Sequence, residues 1–382
     1  MQLIIIIDFF IDKNETQLQD ILRPVRCIGA SLLCAVFLVL AIPALAVPAG
    51  SVETRDALGR LIRLPAPAER IVTIPMPAAA MVVAVDRSAK RLVGMHRQSG
   101  VDAGGQILVR MFPSLREIST DVVGEGFMPN VEEILSIRPD LILQWGDRGD
   151  ALIRPLEAVG LTVAAFTFRG ETDARDWLRT IAALIGQPER AKTLIDWRDA
   201  VQKQLAPLAA LPSEDRPKAL YLLRARSGLI AAGAGTFNEQ SIELAGGRNA
   251  AEGIEGSKPV NAEQVLAWNP DVILLNTFEA NLTPDVILKH PLLRLTEAAR
   301  TGRVFVMPTG GYRWDPPSAE SPLSWLWLAR LLQPERSGIT REDMVAAIID
   351  GYKLVYGKTI DRALALEILN PTPEASDKRR TP

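Results

Sequence analysis

Residues 130–145 and 261–276 state one pattern twice: N-V-E-E-I-L-S-I-R-P-D-L-I-L-Q-W and N-A-E-Q-V-L-A-W-N-P-D-V-I-L-L-N. Asn, Glu, Leu, Pro, Asp, Ile and Leu recur at matching places. Each copy opens on Asn with Glu or Gln three residues later, the signature of a capping box. Asn130 and Asn261 are expected to accept an orphan amide of a helix start, with Glu133 and Gln264 reaching back. Val131, Ile134 and Leu135 give one apolar helix face, matched by Ala262, Val265 and Leu266. Pro139 and Pro270 end each helix, because the residue before proline avoids the α region. A short apolar run follows, Leu141–Leu143 and Val272–Leu275, bounded like a buried parallel strand. A duplicated helix–turn–strand unit predicts two lobes built alike.

The chain on either side fits that plan. Glu53–Leu64 alternates around a glycine and predicts a hairpin. Apolar runs at Arg70–Ile74, Arg91–Met95 and Leu161–Phe166, with a helix over Ala78–Val85, complete a first lobe over residues 52–170. Helices alternating with short apolar strands indicate an α/β fold with mainly parallel sheets. Residues 171–210 keep a 3.6-residue apolar period through Trp177, Ile181, Leu184, Ala191, Leu194 and Ile195, interrupted by Gly186-Gln187-Pro188, and predict one long linking helix. A second lobe over 216–357 has strands at Ala219–Leu223, Leu229–Ala232, Val272–Leu275 and Val304–Met307. Its later helices are expected at Ser324–Leu332 and Arg341–Tyr356. Residues 358–382 are expected to be a partly disordered tail, most clearly from Asn370, where N-P-T-P-E-A-S-D-K-R-R-T-P has little to bury.

The first 46 residues read differently. Arg23 and Arg26 precede an apolar run from Cys27 to Leu45, and Ala44-Leu45-Ala46 supplies the small residues of a cleavage site. Export with cleavage near Ala46 is the expectation; a retained anchor is the alternative, the run approaching the ~20 residues that span a bilayer. The polar stretch before Arg23 is unusual for a signal and suggests an overlong start. Cys27 and Cys34, neither in a lipoprotein context, would leave with the signal, so no disulfide is expected. A net charge of −2 with no basic stripe gives no sign of nucleic-acid binding.

Several segments now resemble a known family. D-A-L-G-R at 56–60, P-A-P-A-E-R-I-V at 65–72 and R-L-V-G-M at 91–95 are similar to the first lobe of periplasmic substrate-binding proteins. These serve ABC importers of iron–siderophore complexes, haem and cobalamin. Both copies of the repeat, I-E-L-A-G-G-R-N-A at 242–250 and S-W-L-W-L-A-R-L-L-Q-P-E at 324–335 extend the resemblance over residues 53–350. It implies two α/β lobes joined by one long helix, a ligand cleft between them and small opening motions. It also implies that Glu132 and Glu263, second residues of the two capped helices, dock on arginines of the permease. The residues themselves allow a second reason for these acids, since a carboxylate in a first helical turn is favoured by the helix dipole.

Ligands of parallel sheets sit beyond the carboxyl ends of the strands. The loops there carry His96, Arg97, Trp145, Arg148, Arg224, Arg226, Phe278, Tyr312, Arg313 and Trp314, a set of arginines and aromatics suited to a planar or anionic chelate. Gly310-Gly311-Tyr312-Arg313-Trp314 stands out, because two aromatics beside an arginine in a loop are hard to place in a core. A ferric siderophore fits best; cobalamin, haem and a molybdate-like oxyanion are the alternatives. A bare transition metal is disfavoured, with only His96 and His290 beyond the signal region and no cysteine. No resident cofactor is expected, and a monomer is. The sequence has no Gly-x-Ser-x-Gly elbow, P-loop, dinucleotide fingerprint or His-Glu-x-x-His, which disfavours an enzyme. The rival from that class is an α/β enzyme acting on a metal chelate in the same cleft.

Overall fold

The computed structural model describes residues 50–100, 106–277, 279 and 282–369, so the signal region, Phe278 and the chain from Asn370 lie outside it. The hairpin is β1 (Val52–Arg55) against β2 (Leu61–Leu64), antiparallel, with Val52 opposite Leu64. The first lobe has strands β3 (Ile71–Thr73), β4 (Leu92–Met95), β5 (Leu141–Trp145) and β6 (Val163–Phe166). They form a parallel sheet in the order β4-β3-β5-β6. Its main helices are α1 (Ala78–Asp86), α2 (Val131–Ile137) and α3 (Glu171–Leu184). The 22-residue α4 (Pro188–Ala209) is about 33 Å long. The run expected as one linking helix is therefore two. Gly186 takes a left-handed φ of +72°, Pro188 starts α4, and α3 packs back against α4.

The second lobe contains β7 (Lys218–Arg224), β8 (Leu229–Ala232), α5 (Phe237–Leu244), β9 (Arg248–Asn249), β10 (Ser257–Val260), α6 (Ala262–Trp268), β11 (Val272–Leu275), β12 (Val304–Val306), α7 (Ser321–Leu332), α8 (Arg341–Tyr356) and α9 (Arg362–Leu369). The sheet order is β10-β8-β7-β11-β12, with β9 also pairing β7. Strands β7, β11 and β12 are parallel, whereas β8 and β10 are antiparallel additions. Helix α9 corrects the tail expectation: Ala365 and Ile368 are buried and the helix packs on α8.

The repeat explains why the lobes match. Asn130 accepts the Glu133 amide at 3.3 Å and Asn261 the Gln264 amide at 2.7 Å. The expected return bond from Glu133 is replaced, since its carboxylate accepts the Ser119 hydroxyl at 2.6 Å. Both helices end in a left-handed residue, Arg138 at φ +46° and Asn269 at φ +42°. The aspartates of the Pro-Asp pairs then lock onto the neighbouring strand. Asp140 accepts the amides of Glu69 (2.7 Å) and Arg70 (3.0 Å), just before β3, and Asp271 accepts that of Lys218 (2.7 Å), opening β7. Each copy thus caps a helix, turns the chain and sets the register of two parallel strands.

Strand alternation divides the apolar residues among three cores. Val72, Ile74 and Ile142 face one on the first lobe; Leu220, Leu222, Ile273 and Leu275 face one on the second. The intervening residues, Ile71, Leu141, Leu143, Tyr221, Val272 and Leu274, enter a third core that also holds α1, α4, α7 and α8 side chains. That shared core spans both lobes. Arg190 of α4 seals it: its guanidinium donates to the carbonyls of Ala84 (2.9 Å), Val85 (3.4 Å), Leu354 (3.1 Å) and Val355 (3.2 Å). These are last-turn carbonyls of α1 and α8, which have no partner inside their own helices.

Candidate functional site

Strand ends of the first lobe carry an aromatic cluster. Trp145, last residue of β5, is 2% exposed, with its ring 5.8 Å from Phe127, 5.9 Å from Phe168 and 5.9 Å from Trp177. His96 follows β4, donates its amide to the Thr73 carbonyl at 3.0 Å, and sets its ring 5.4 Å from Phe127. Arg148 lies with its guanidinium carbon 4.2 Å from the Trp145 ring centre and 4.6 Å from that of Phe127. Burial against these rings pushes its pKa below the ordinary arginine value, with the Asp147 charge pulling the other way. Among the described residues Arg148 has no ion-pair partner. His96, Trp145 and Arg148 are thus brought together, and Phe127 joins them. Arg97 is not: it is solvent-exposed, 4.0 Å from an equally exposed Asp121.

Phe127 escaped the sequence reading, and its backbone marks it. It follows Gly126 in left-handed geometry, at φ +66°, which a residue with a Cβ rarely adopts. Such strain persists where the surroundings over-determine it, commonly at functional sites. The signal in the sequence was Gly-Glu-Gly-Phe in a stretch without periodicity.

In the second lobe Arg224 ends β7 and is half-buried, while Arg226 is exposed in the following turn. Glu279 pins that turn. Its carboxylate accepts the amides of Ala225 (2.7 Å), Arg226 (3.1 Å) and Ser227 (2.9 Å) and the Ser227 hydroxyl (2.7 Å). Burial alone would raise the Glu279 pKa, but these bonds hold it below the usual carboxylate value. The loop after β11 is thereby tied to the β7–β8 turn.

Gly310–Trp314 differs most from expectation. Tyr312 and Trp314 are 2% and 0% exposed, so both aromatics do lie in a core. The reason is Glu320, itself fully buried. Its carboxylate accepts the Trp314 indole N–H (2.8 Å), the Tyr352 hydroxyl (2.8 Å), the Tyr356 hydroxyl (2.6 Å) and the Tyr312 amide (3.2 Å). Burial raises the Glu320 pKa and outweighs these bonds, which act to lower it. Gly310 and Gly311 are required by this packing, because a Cβ at either would run into the Glu320 carboxylate and a tyrosine hydroxyl. Arg313 is only 8% exposed, 5.5 Å from the Tyr312 ring centre and 3.9 Å from the Asp315 carboxylate, which also accepts the Tyr221 hydroxyl at 2.8 Å. Burial would lower the Arg313 pKa, but Asp315 and the two hydroxyls hold it above the ordinary value.

Three buried polar atoms have no hydrogen-bond partner among the described residues: Thr73 Oγ1, Trp145 Nε1 and Thr277 Oγ1. They stand at or just beyond the carboxyl ends of β3, β5 and β11, in both lobes. Buried polar groups are nearly always paired, so unpaired ones at strand ends are where a ligand would be met. Among the described residues no group of three His, Cys, Asp or Glu side chains could hold a metal ion. His290 accepts the Leu292 and Leu293 amides at 3.2 Å, the work of a turn residue.

A family model described as periplasmic binding protein matches residues 81–309, more than half of the chain. The chain belongs to that family. It is 26% identical over 303 residues to the molybdate-binding protein MolA of Haemophilus influenzae, covering 74% of this chain and 84% of MolA. It is 28% identical over 282 residues to a cobalamin-binding protein of Halobacterium salinarum, covering 70% and 71%. Among solved structures, a periplasmic solute-binding protein of Veillonella parvula is similar at a TM-score of 0.74 and 26% identity, over 84% of this chain and 97% of that one. Molybdate-bound MolA aligns at 0.69 and 25%, over 81% and 99%. The family fold is thus a two-lobed α/β one, and its members bind small molecules for ABC permeases. Glu132 and Glu263 are both exposed, each in the first turn of its helix. Because α2 and α6 run straight into β5 and β11, their N-termini lie toward the carboxyl ends of those strands. No described helix is long and apolar enough to cross a membrane.

Proposed function

We propose that this chain is the solute-binding component of an ABC importer and that it holds an anionic metal chelate of the iron–siderophore type between its lobes. The observation that carries the ligand reading is Arg148, without an ion-pair partner among the described residues and stacked on Trp145 and Phe127. A cation on two aromatic faces suits a ligand with negative oxygens and a flat or apolar body. Thr73, Trp145 and Thr277 supply further hydrogen-bonding atoms from both lobes. We also assign Glu132 and Glu263 to the permease contact, on their exposure and matching register.

A second reading, a molybdate-like oxyanion, is favoured by the similarity to MolA. Guanidinium and backbone donors suffice for such an ion. Native mass spectrometry of protein purified from its own periplasm separates the two. A bound ferric chelate is expected; molybdate, haem or a corrinoid would overturn the ligand assignment and leave the transport role. For docking, reversing both glutamates should abolish uptake with ligand affinity unchanged, and a parallel loss of affinity would overturn it.

A further inference from the structure

Among the described residues, seven large apolar side chains are more than a third exposed: Leu58, Leu61, Met128, Leu135, Val159, Leu288 and Leu295. Scattered singly, such residues need no explanation. These are not scattered. Leu135, 42% exposed, lies one turn along α2 from Glu132, on the same helix face. Met128, 44% exposed, stands just before the Asn130 cap of that helix. In the other lobe Leu295, 49% exposed, belongs to the turn Leu293–Leu295, which packs against α6, the helix of Glu263. Leu288, 38% exposed, ends the short helix packed on the same turn. Four of the seven therefore surround the two glutamates that the repeat places in register, although the apolar residues themselves come from different parts of each lobe.

We propose that each lobe presents a mixed contact spot, an acid ringed by apolar side chains: Glu132 with Met128 and Leu135, and Glu263 with Leu295 and Leu288. The occupant is the permease, through a surface with an arginine set among apolar side chains opposite each spot. The inference rests on the docking role proposed above for the glutamates. Charge complementarity commits the partner to cations, and the exposed leucines commit it to apolar groups around them. Interfaces of this kind gain most from a desolvated centre and use rim charges mainly for encounter and register. Tight docking would then depend on the leucines, and its salt dependence on the glutamates.

The test titrates the full chain against the permease–ATPase assembly encoded beside its gene, held in nanodiscs, at several salt concentrations. The double variant Leu135→Gln/Leu295→Gln should bind at least about tenfold more weakly at every salt concentration, with the wild-type salt dependence. Glu132→Gln/Glu263→Gln should flatten the salt dependence. Thermal melts should match wild type, since all four side chains are exposed. A leucine double variant within twofold of wild type, beside a glutamate variant that loses binding, overturns the apolar contact and keeps the docking role. A glutamate variant with wild-type affinity and salt dependence overturns the docking role and this inference with it.

Discussion

The guanidinium carbon of Arg148 lies 4.2 Å from the centre of the Trp145 ring, while the indole N–H of that tryptophan is buried without a partner among the described residues. The ring that steadies the cation is thus itself short of an acceptor. A ligand oxygen reaching both would gain a charge-assisted bond, contributing about 1.5–3 kcal/mol, and a neutral one besides. Arg148→Ala is therefore expected to weaken ligand binding by roughly tenfold or more. Arg148→Lys should recover only part of this, because an ammonium stacks less well and cannot bond in a bidentate fork. Calorimetric titration of the three proteins checks the order. Equal affinities for all three would remove Arg148 from the site.

Glu320 gives a prediction about pH. Its pKa is raised by burial, so the folded chain binds this proton more tightly than the unfolded chain does. The stability it contributes is then fully present below its unfolded value near 4.5 and declines as pH rises through the folded value. Glu320→Gln removes that titration. The stability difference, wild type minus variant, should fall as pH is raised from about 4 toward neutrality. Urea unfolding at a series of pH values measures it; a difference that is constant or grows with pH would contradict the assignment.

Arg190 caps two helices at once, so its loss should be felt in stability more than in binding. Arg190→Met keeps the apolar stem but leaves last-turn carbonyls of α1 and α8 short of donors. Hydrogen bonds to a charged group contribute about 1.5–3 kcal/mol, and the expected loss on urea unfolding is on the order of 3 kcal/mol with ligand affinity within a few-fold of wild type. Burial and the nearby Arg87 lower the Arg190 pKa to about 10, so its charge is retained at neutral pH and this loss should not vary between pH 6 and 8.

How much of this was legible in the sequence depended on how local the chemistry was. Asn130, Asn261, Asp140 and Asp271 act within a few residues or on the adjoining strand, and their pattern was visible because it occurs twice. The strands were legible as apolar runs, since alternate residues feed different cores. The fate of Tyr312 and Trp314 was not, because it is decided by Glu320 and by Tyr352 and Tyr356 on a helix some forty residues later. Phe127 was hidden for a related reason: left-handed backbone in an aperiodic loop leaves only a neighbouring glycine as its trace. The break between α3 and α4 was written plainly in Gly186-Gln187-Pro188, but the apolar period continued across it and suggested a single helix.

The buried pair Arg313 and Asp315 tests what the Gly310–Trp314 loop is for. Both are at most 8% exposed, their charged groups are 3.9 Å apart, and Tyr221 adds a hydroxyl bond to the carboxylate. Removing one partner of a buried pair typically costs about 3–5 kcal/mol, whereas replacing both costs much less. Arg313→Met and Asp315→Asn should each lower stability by about 3 kcal/mol, and the double variant by clearly less than their sum. If Arg313 also meets the ligand, Asp315→Asn should leave most of the affinity and Arg313→Met should lose it by roughly tenfold. Denaturation and titration of the three variants separate the roles. Stability losses that simply add would show that the two charges are not coupled, and unchanged affinity in Arg313→Met would leave this loop a purely structural element beneath the site.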